Sequence, residues 1–261
     1  MKVLLTGAAS GLGASLLRAC LARGDQVTAI DRDACPADLA TSVTWLRLDL
    51  AATAPEAWTQ IAVALKQDGP FDLTVLSAGI SATGPFETID PDTHQLVSRI
   101  NLHAPMRLAL LLQQQGGLAT GGRLVFVASL SCFTGYPGAA SYGASKDGLS
   151  AFARSLHKPM RRAGVAVQLL CPGPMDTPHA TRYAPKGARA DRRISPQNVA
   201  QMVLDAPRGR FVLLPGTGAK LAALLGRLAP GVMTRIMGRV LFAKLKDQAP
   251  EGGINARGLS P

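Results

Sequence analysis

The sequence predicts an α/β protein: one doubly wound domain with a parallel β-sheet flanked by helices, followed by a helical C-terminal extension. Two observations predict it. Short apolar runs alternate with longer stretches of helical periodicity, and those runs are apolar throughout rather than every second residue. A strand apolar on both sides needs cover on both faces, the situation of a parallel sheet between helical layers.

The elements follow in order. Residues 3–5 read as a buried strand, and a helix runs from 13 to 23 and stops at Gly24. Residues 27–30 form a second strand and 43–48 a third, with a helix at 56–67 behind it. Residues 71–76, 123–128 and 165–170 are the fourth, fifth and sixth strands, and 210–214 adds an edge strand. Residues 1–214 are thus expected to form one domain and 215–261 a helical basic extension.

Composition narrows the function. The chain has 261 residues, 47% hydrophobic and 17% charged, which suits a buried core rather than disorder. No uncharged apolar run reaches the roughly 18 residues needed to span a bilayer. The N-terminus does not read as a signal peptide, because its apolar stretch is short and runs into a glycine turn. Cys20, Cys35, Cys132 and Cys171 lack metal or redox spacing, and His94, His103, His157 and His179 lack metal spacing, so no metal is expected. Reduced thiols in a cytoplasmic protein are the expectation. Charge is uneven: residues 1–150 carry 10 Lys/Arg against 12 Asp/Glu, net −2, while 151–261 carry 18 against 5, net +13.

The first strand leads into Thr6-Gly7-Ala8-Ala9-Ser10-Gly11-Leu12-Gly13. Glycines here permit a tight turn, backbone approach to a pyrophosphate and close helix–strand packing, while the helix N-terminus offers free N–H groups. That strand–turn–helix context marks a Rossmann-like dinucleotide site. Asp31 ends the second strand, 18 residues beyond Gly13. A carboxylate there accepts from both ribose hydroxyls and repels a 2′-phosphate, which favours NAD; Arg32 beside it can instead hold that phosphate, which keeps NADP open.

Farther on, Tyr142 and Lys146 lie one helical turn apart on one face. Ser129 closes the fifth strand, thirteen residues before Tyr142, at the sheet edge where ligands bind in open parallel sheets. The glycine turn, Asp49 and Leu50 after the third strand, Asn101 in the fourth helix, the Ser129/Tyr142/Lys146 set and Cys171-Pro172-Gly173-Pro174-Met175-Asp176-Thr177 stand in one order. Together they resemble the short-chain dehydrogenase/reductase family, in its members of about 250 residues. The resemblance covers most of residues 1–200.

That resemblance implies interconversion of an alcohol and a ketone or aldehyde by hydride transfer, with Tyr142 as general acid/base. A free tyrosine, with a pKa near ~10, is a poor base, and an ammonium one turn away stabilises its phenolate. Ser129 would steady the substrate oxygen. By resemblance, Lys146 holds the nicotinamide ribose, Asn101 positions a water beside it, Thr177 fixes the carboxamide, and Pro172 and Gly173 line the same end. Thr6, Gly7, Ser10, Gly11, Leu12, Gly13 and the Ser77-Ala78-Gly79 segment complete the cofactor set. Ser77 departs from the family's usual Asn, which is expected to weaken support between strands without changing the chemistry. Cys132 reads as a small packed hydrophobe, with nothing nearby to lower its pKa.

Residues 178–195 correspond to the family's substrate lid. The family also implies a homodimer or homotetramer, although the usual C-terminal tetramer-packing segment is missing. Residues 219–246 carry six basic residues and no acid, and Met233, Ile236, Met237, Val240 and Leu241 follow helical spacing. The leading reading is a terminal helix packed on the core with a solvated basic face. An anionic membrane surface or a fairly apolar substrate are the other readings. Sparse aromatics among the cations disfavour nucleic acid. The alternative from another class is a cofactor-binding sensor or membrane-surface module without turnover; the intact Ser129/Tyr142/Lys146 set argues against it.

Overall fold

The computed structural model describes residues 1–184, 191 and 193–239. Seven parallel strands form one sheet in the order β3-β2-β1-β4-β5-β6-β7. They are β1 (Lys2–Thr6), β2 (Gln26–Asp31), β3 (Thr44–Arg47), β4 (Phe71–Leu76), β5 (Leu118–Val127), β6 (Ala166–Leu170) and β7 (Val212–Leu213). The helices are α1 (Gly11–Ala22), α2 (Pro55–Asp68), α3 (Pro91–Ser98), α4 (Ala104–Gln114), α5 (Ser131–Thr134), α6 (Ala140–Arg162), α7 (Pro178–Arg182), α8 (Pro196–Asp205), α9 (Gly216–Leu228) and α10 (Pro230–Met237).

The pleat divides the apolar runs between two cores. Val3, Leu5, Ala29, Val75 and Val127 point to one face and pack with Leu16, Leu17 and Cys20 of α1 and Val199 and Val203 of α8. Leu4, Ile30, Leu76 and Phe126 point to the other and pack with Ile61 of α2, Leu108 of α4 and Leu149 of α6. Successive residues of one strand therefore serve opposite layers, which is why the strands read as continuous apolar runs. The outermost strand β3 is the exception: it is only half-buried, because its free edge lies beyond the helical cover.

Most expected elements lie within two residues of their predicted ends. The exception is β5, which begins at Leu118 rather than 123; Leu118 pairs with Phe71 across an irregularity in the register. Strand order reverses between β1 and β4, leaving a crevice at their carboxyl ends. The expected edge strand shrinks to Val212–Leu213, beside β6. In the expected lid, Pro178–Arg182 is helical, while 185–190 and 192 lie outside the described residues. Val240, Leu241 and Lys246 of the C-terminal segment also lie outside them.

Candidate active site

The glycine turn forms the floor of the crevice. Gly7 has φ +70°, open to glycine at little cost, and a Cβ on it would stand 2.8 Å from the Cα of Ala78. A Cβ on Gly13 would stand 1.9 Å from the carbonyl oxygen of Gly7, so only glycine lets α1 close against the turn. Ser10 occupies the N-cap of α1 without a side-chain capping bond, and its helix carries no acid in the first turn. The positive end of the helix thus faces the crevice uncompensated.

An open cleft leads from that turn, lined by Gly7, Ser10, Asp31, Asp49, Leu50 and Gly79 among others. The Asp31 carboxylate accepts from the Ala9 N–H at 2.8 Å and from the Asp33 N–H at 3.0 Å, which fixes it at the rim of the turn. Arg32 is more exposed, with its Nε 3.8 Å from an oxygen of Asp33. Asp49 accepts from the Ala51 N–H at 2.8 Å, which stiffens the loop that presents Leu50. A glycine floor, a helix N-terminus and a fixed carboxylate along one open cleft suit a dinucleotide.

Ser77 performs the bracing that its replacement of asparagine put in doubt. Its hydroxyl donates a short hydrogen bond to the Thr6 carbonyl. The Thr6 hydroxyl accepts from the N–H groups of Ser77 and Ala78 at 3.0 and 3.1 Å. The ends of β1 and β4 are therefore tied directly beside the glycine turn.

Ser129 follows β5, and Tyr142 and Lys146 stand on α6, which packs across β5 and β6. Lys146 is buried and donates to the Val127 carbonyl at 2.8 Å; its Nζ is 5.8 Å from the Tyr142 ring centroid. Burial lowers the Lys146 pKa to about 8. Burial raises that of Tyr142 to about 12, against a hydrogen bond to Ser129 that draws it down. In the protein without cofactor the Lys146 amine donates to a backbone carbonyl and desolvation of the phenolate dominates; the positive nicotinamide ring, the other half of the expected stabilisation, is not part of this balance.

Asn101 lies not in a regular helix but in a π turn, Arg99–His103, between α3 and α4. Such single turns concentrate at functional sites. Its amide donates to the Ile80 carbonyl at 2.9 Å and to Ser145 Oγ at 3.0 Å, and its oxygen accepts from the Ile80 N–H at 2.9 Å. A Cβ on Gly79 would stand 3.2 Å from that oxygen and 3.3 Å from Lys146 Nζ, so Gly79 lets all three approach. Thr177 caps α7 by accepting from the Ala180 N–H at 3.1 Å. Its methyl would stand 3.3 Å from a Cβ on Gly11, which brings the segment after β6 against the glycine turn. The Pro172 carbonyl accepts from the Leu130 N–H at 2.8 Å, joining that segment to the residue after Ser129.

Sequence reasoning missed several neighbours. Tyr136 stands edge-on to Tyr142, with ring centroids 5.9 Å apart. His179 packs on Tyr183, and burial together with the Lys146 charge lowers its pKa to about 4, so it is a neutral group of this cleft. His94 hydrogen-bonds Ser141, the residue before Tyr142. None carries a spacing signal, because each is brought in by a loop or a helix from elsewhere in the chain. Cys132 also differs from expectation. Hydrogen bonds from Cys171 and Ser150 hold its thiol below the usual range. Among the described residues no cluster of metal-ligating groups occurs.

Comparison with known proteins agrees with this geometry. The profile of the short chain dehydrogenase family matches residues 1–187. The chain is 33% identical over 233 residues to the 1-deoxy-11-beta-hydroxypentalenate dehydrogenase of Streptomyces exfoliatus, covering 83% of each chain. It is 29% identical to a monensin polyketide synthase putative ketoacyl reductase of Streptomyces virginiae, covering 91% of this chain and 93% of that one. A Burkholderia cenocepacia short chain dehydrogenase in complex with NADP shares the fold with a TM-score of 0.75 at 23% identity, covering 90% and 96%. The chain therefore belongs to the short chain dehydrogenase family and is an oxidoreductase of that family.

Proposed function

We propose that this protein interconverts a fairly apolar alcohol and its ketone or aldehyde, with NAD preferred over NADP. The reading is supported by the hydrogen bond of Tyr142 to Ser129, by Lys146 Nζ 5.8 Å from the Tyr142 ring, and by the closeness of that Nζ to Gly79, which lines the glycine-floored cleft. The turn residues 6–13, Asp31, Asp49, Leu50, Ser77–Gly79 and Thr177 would hold a nicotinamide cofactor, which when bound would supply the hydride chemistry. The chain's own residues handle the proton. Tyr142 donates from its hydroxyl to the forming alkoxide, or takes the proton back in oxidation. Ser129 hydrogen-bonds the same oxygen as its charge changes. Lys146 lends positive charge beside the phenol and holds the ribose, and Asn101 positions a water behind it.

Asp31 supports the choice of NAD. Two backbone N–H groups pin its carboxylate at the rim, where it repels a 2′-phosphate. Arg32 supports the other choice less well, being oriented toward Asp33. The names of the two relatives, a hydroxypentalenate dehydrogenase and a ketoacyl reductase, support a carbon-rich substrate. The test is NADH oxidation against a panel of apolar ketones, for the wild type and Tyr142→Phe. The substitution is expected to cut turnover by about 10²–10⁴-fold and leave NADH binding unchanged. Equal turnover in the variant contradicts the mechanism.

A further inference from the structure

The helix α9 is inverted relative to an ordinary surface helix. The inward face of α9 carries Ala219, Ala223 and Gly226, all buried. A Cβ on Gly226 would stand 1.9 Å from the Phe133 carbonyl oxygen, so the helix rests directly on the backbone of α5. The large apolar side chains point the other way. Leu221, Leu224 and Leu228 are 58%, 53% and 74% exposed, and they form one stripe at i, i+3 and i+7, with Leu225 beside them. Val232 and Ile236, one turn apart on α10, are exposed as well. Isolated exposed leucines are ordinary, but a continuous stripe on two successive helices marks an interaction surface.

The charge around the stripe selects the partner. From residue 206 to 246 the sequence contains no acid. Lys220, Arg235 and Arg239 are exposed on or next to these two helices, while the Arg227 guanidinium lies over the Phe133 ring of α5, 4.8 Å from its centroid. A face carrying only cations around a leucine stripe repels a second copy of itself across a twofold contact, since cation would meet cation. It also lacks exposed aromatics for stacking on bases. An anionic bilayer satisfies both halves at once, with headgroups meeting the cations and the acyl boundary taking the leucines.

We propose that the outward face of α9 and α10 is a monotopic docking surface for an anionic lipid bilayer. Docking would seat the membrane across α9 and α10 from the loop between Ser129 and Tyr142. Both helices pack on α5, and a Cβ on Gly135 would stand 3.3 Å from Thr234 Oγ1 of α10. For a carbonyl substrate of the kind proposed above, docking would hold the active site one helix layer from molecules dissolved in the bilayer. Only that last statement rests on the catalytic reading. The docking itself needs no turnover, so the two can fail separately.

The test is cosedimentation of the full chain with phosphatidylcholine vesicles and with mixed phosphatidylcholine–phosphatidylserine vesicles, at low and high salt. Binding is expected to the mixed vesicles only, weakening as salt rises. L224E/L228E is expected to lose at least about tenfold in affinity, by removing buried apolar area and adding repelled charge. K220Q/R235Q is expected to lose about fivefold per cation removed. Circular dichroism and NADH titration check that both variants fold. Equal binding to neutral vesicles, no binding by the wild type, or unchanged binding by L224E/L228E overturns the proposal. So does a fall in the oligomeric mass of L224E/L228E, which would assign the face to a second copy of this chain.

Discussion

At the scale of single residues, Lys146 and Tyr142 are tuned in opposite directions by the same burial. Lys146 falls to about 8 and Tyr142 rises to about 12, so between those values the pair holds a neutral amine beside a neutral phenol. Below about 8 the lysine is charged and the tyrosine protonated, the state that can donate to a forming alkoxide. We therefore expect kcat/KM for NADH-driven ketone reduction to be flat below pH about 8 and to fall up to about tenfold per unit above it. Lys146→Arg, which keeps its charge, should move that break upward. A break that stays in place in this variant would remove Lys146 as its source. Much of this residue set was legible in the sequence. Ser129, Tyr142 and Lys146 have fixed spacings on one strand end and one helix face. Their electrostatics were not legible, because desolvation depends on what covers them. Of the neighbouring groups, Tyr136 comes from the loop before α6 and His179 from the short helix α7, and neither carries a periodic signal.

At the scale of elements, the site depends on α8 and α1 as a layer under β1. Arg123, buried on β5, donates through its guanidinium to the carbonyls of Val203, Leu204 and Ala206 at the C-terminal end of α8. It also reaches Gln168 on β6. One cation thus satisfies the orphan carbonyls of a helix end inside the core, where water does not reach. Arg123→Met should cost about 2–4 kcal/mol, read from urea unfolding, by taking the guanidinium donor from the Leu204 and Ala206 carbonyls, while Val203 keeps the Ala206 N–H at 3.4 Å. A loss under about 0.5 kcal/mol would show that the helix end finds other partners. The sequence showed the strands because both sheet faces are buried, and it showed α1 through its glycine turn. It did not show why residue 123 is charged within an apolar run, since the carbonyls it serves lie some 80 residues later in the chain. Nor did it show the π turn at Asn101, which arises where α3 and α4 join across the crevice and leaves no compositional trace.

At the scale of the whole molecule, the two halves of the chain differ in electrostatic character. The cofactor-binding half is nearly neutral, and the half that follows residue 150 is strongly basic. The sequence pointed to a basic amphipathic segment, but its leading reading was a stripe turned toward the core. Of that stripe, Met233 and Met237 are half-buried and Ile236 is exposed, while in α9 Ala219, Ala223 and Gly226 face inward and Leu221, Leu224 and Leu228 outward. At Gly226 the reason is steric, since a Cβ there would stand 1.9 Å from the Phe133 carbonyl oxygen. Among the described residues no helix is long and apolar enough to cross a membrane. The N-terminal half carries the central claim, that the cleft is built for NAD. The most direct measurement is a paired fluorescence titration of the purified protein with NADH and NADPH. The account predicts saturable NADH binding at least about tenfold tighter than NADPH, the order of effect expected from facing a carboxylate with a phosphate. NADPH binding as tight or tighter would transfer the specificity from Asp31 to Arg32, and binding of neither would contradict the cofactor site itself.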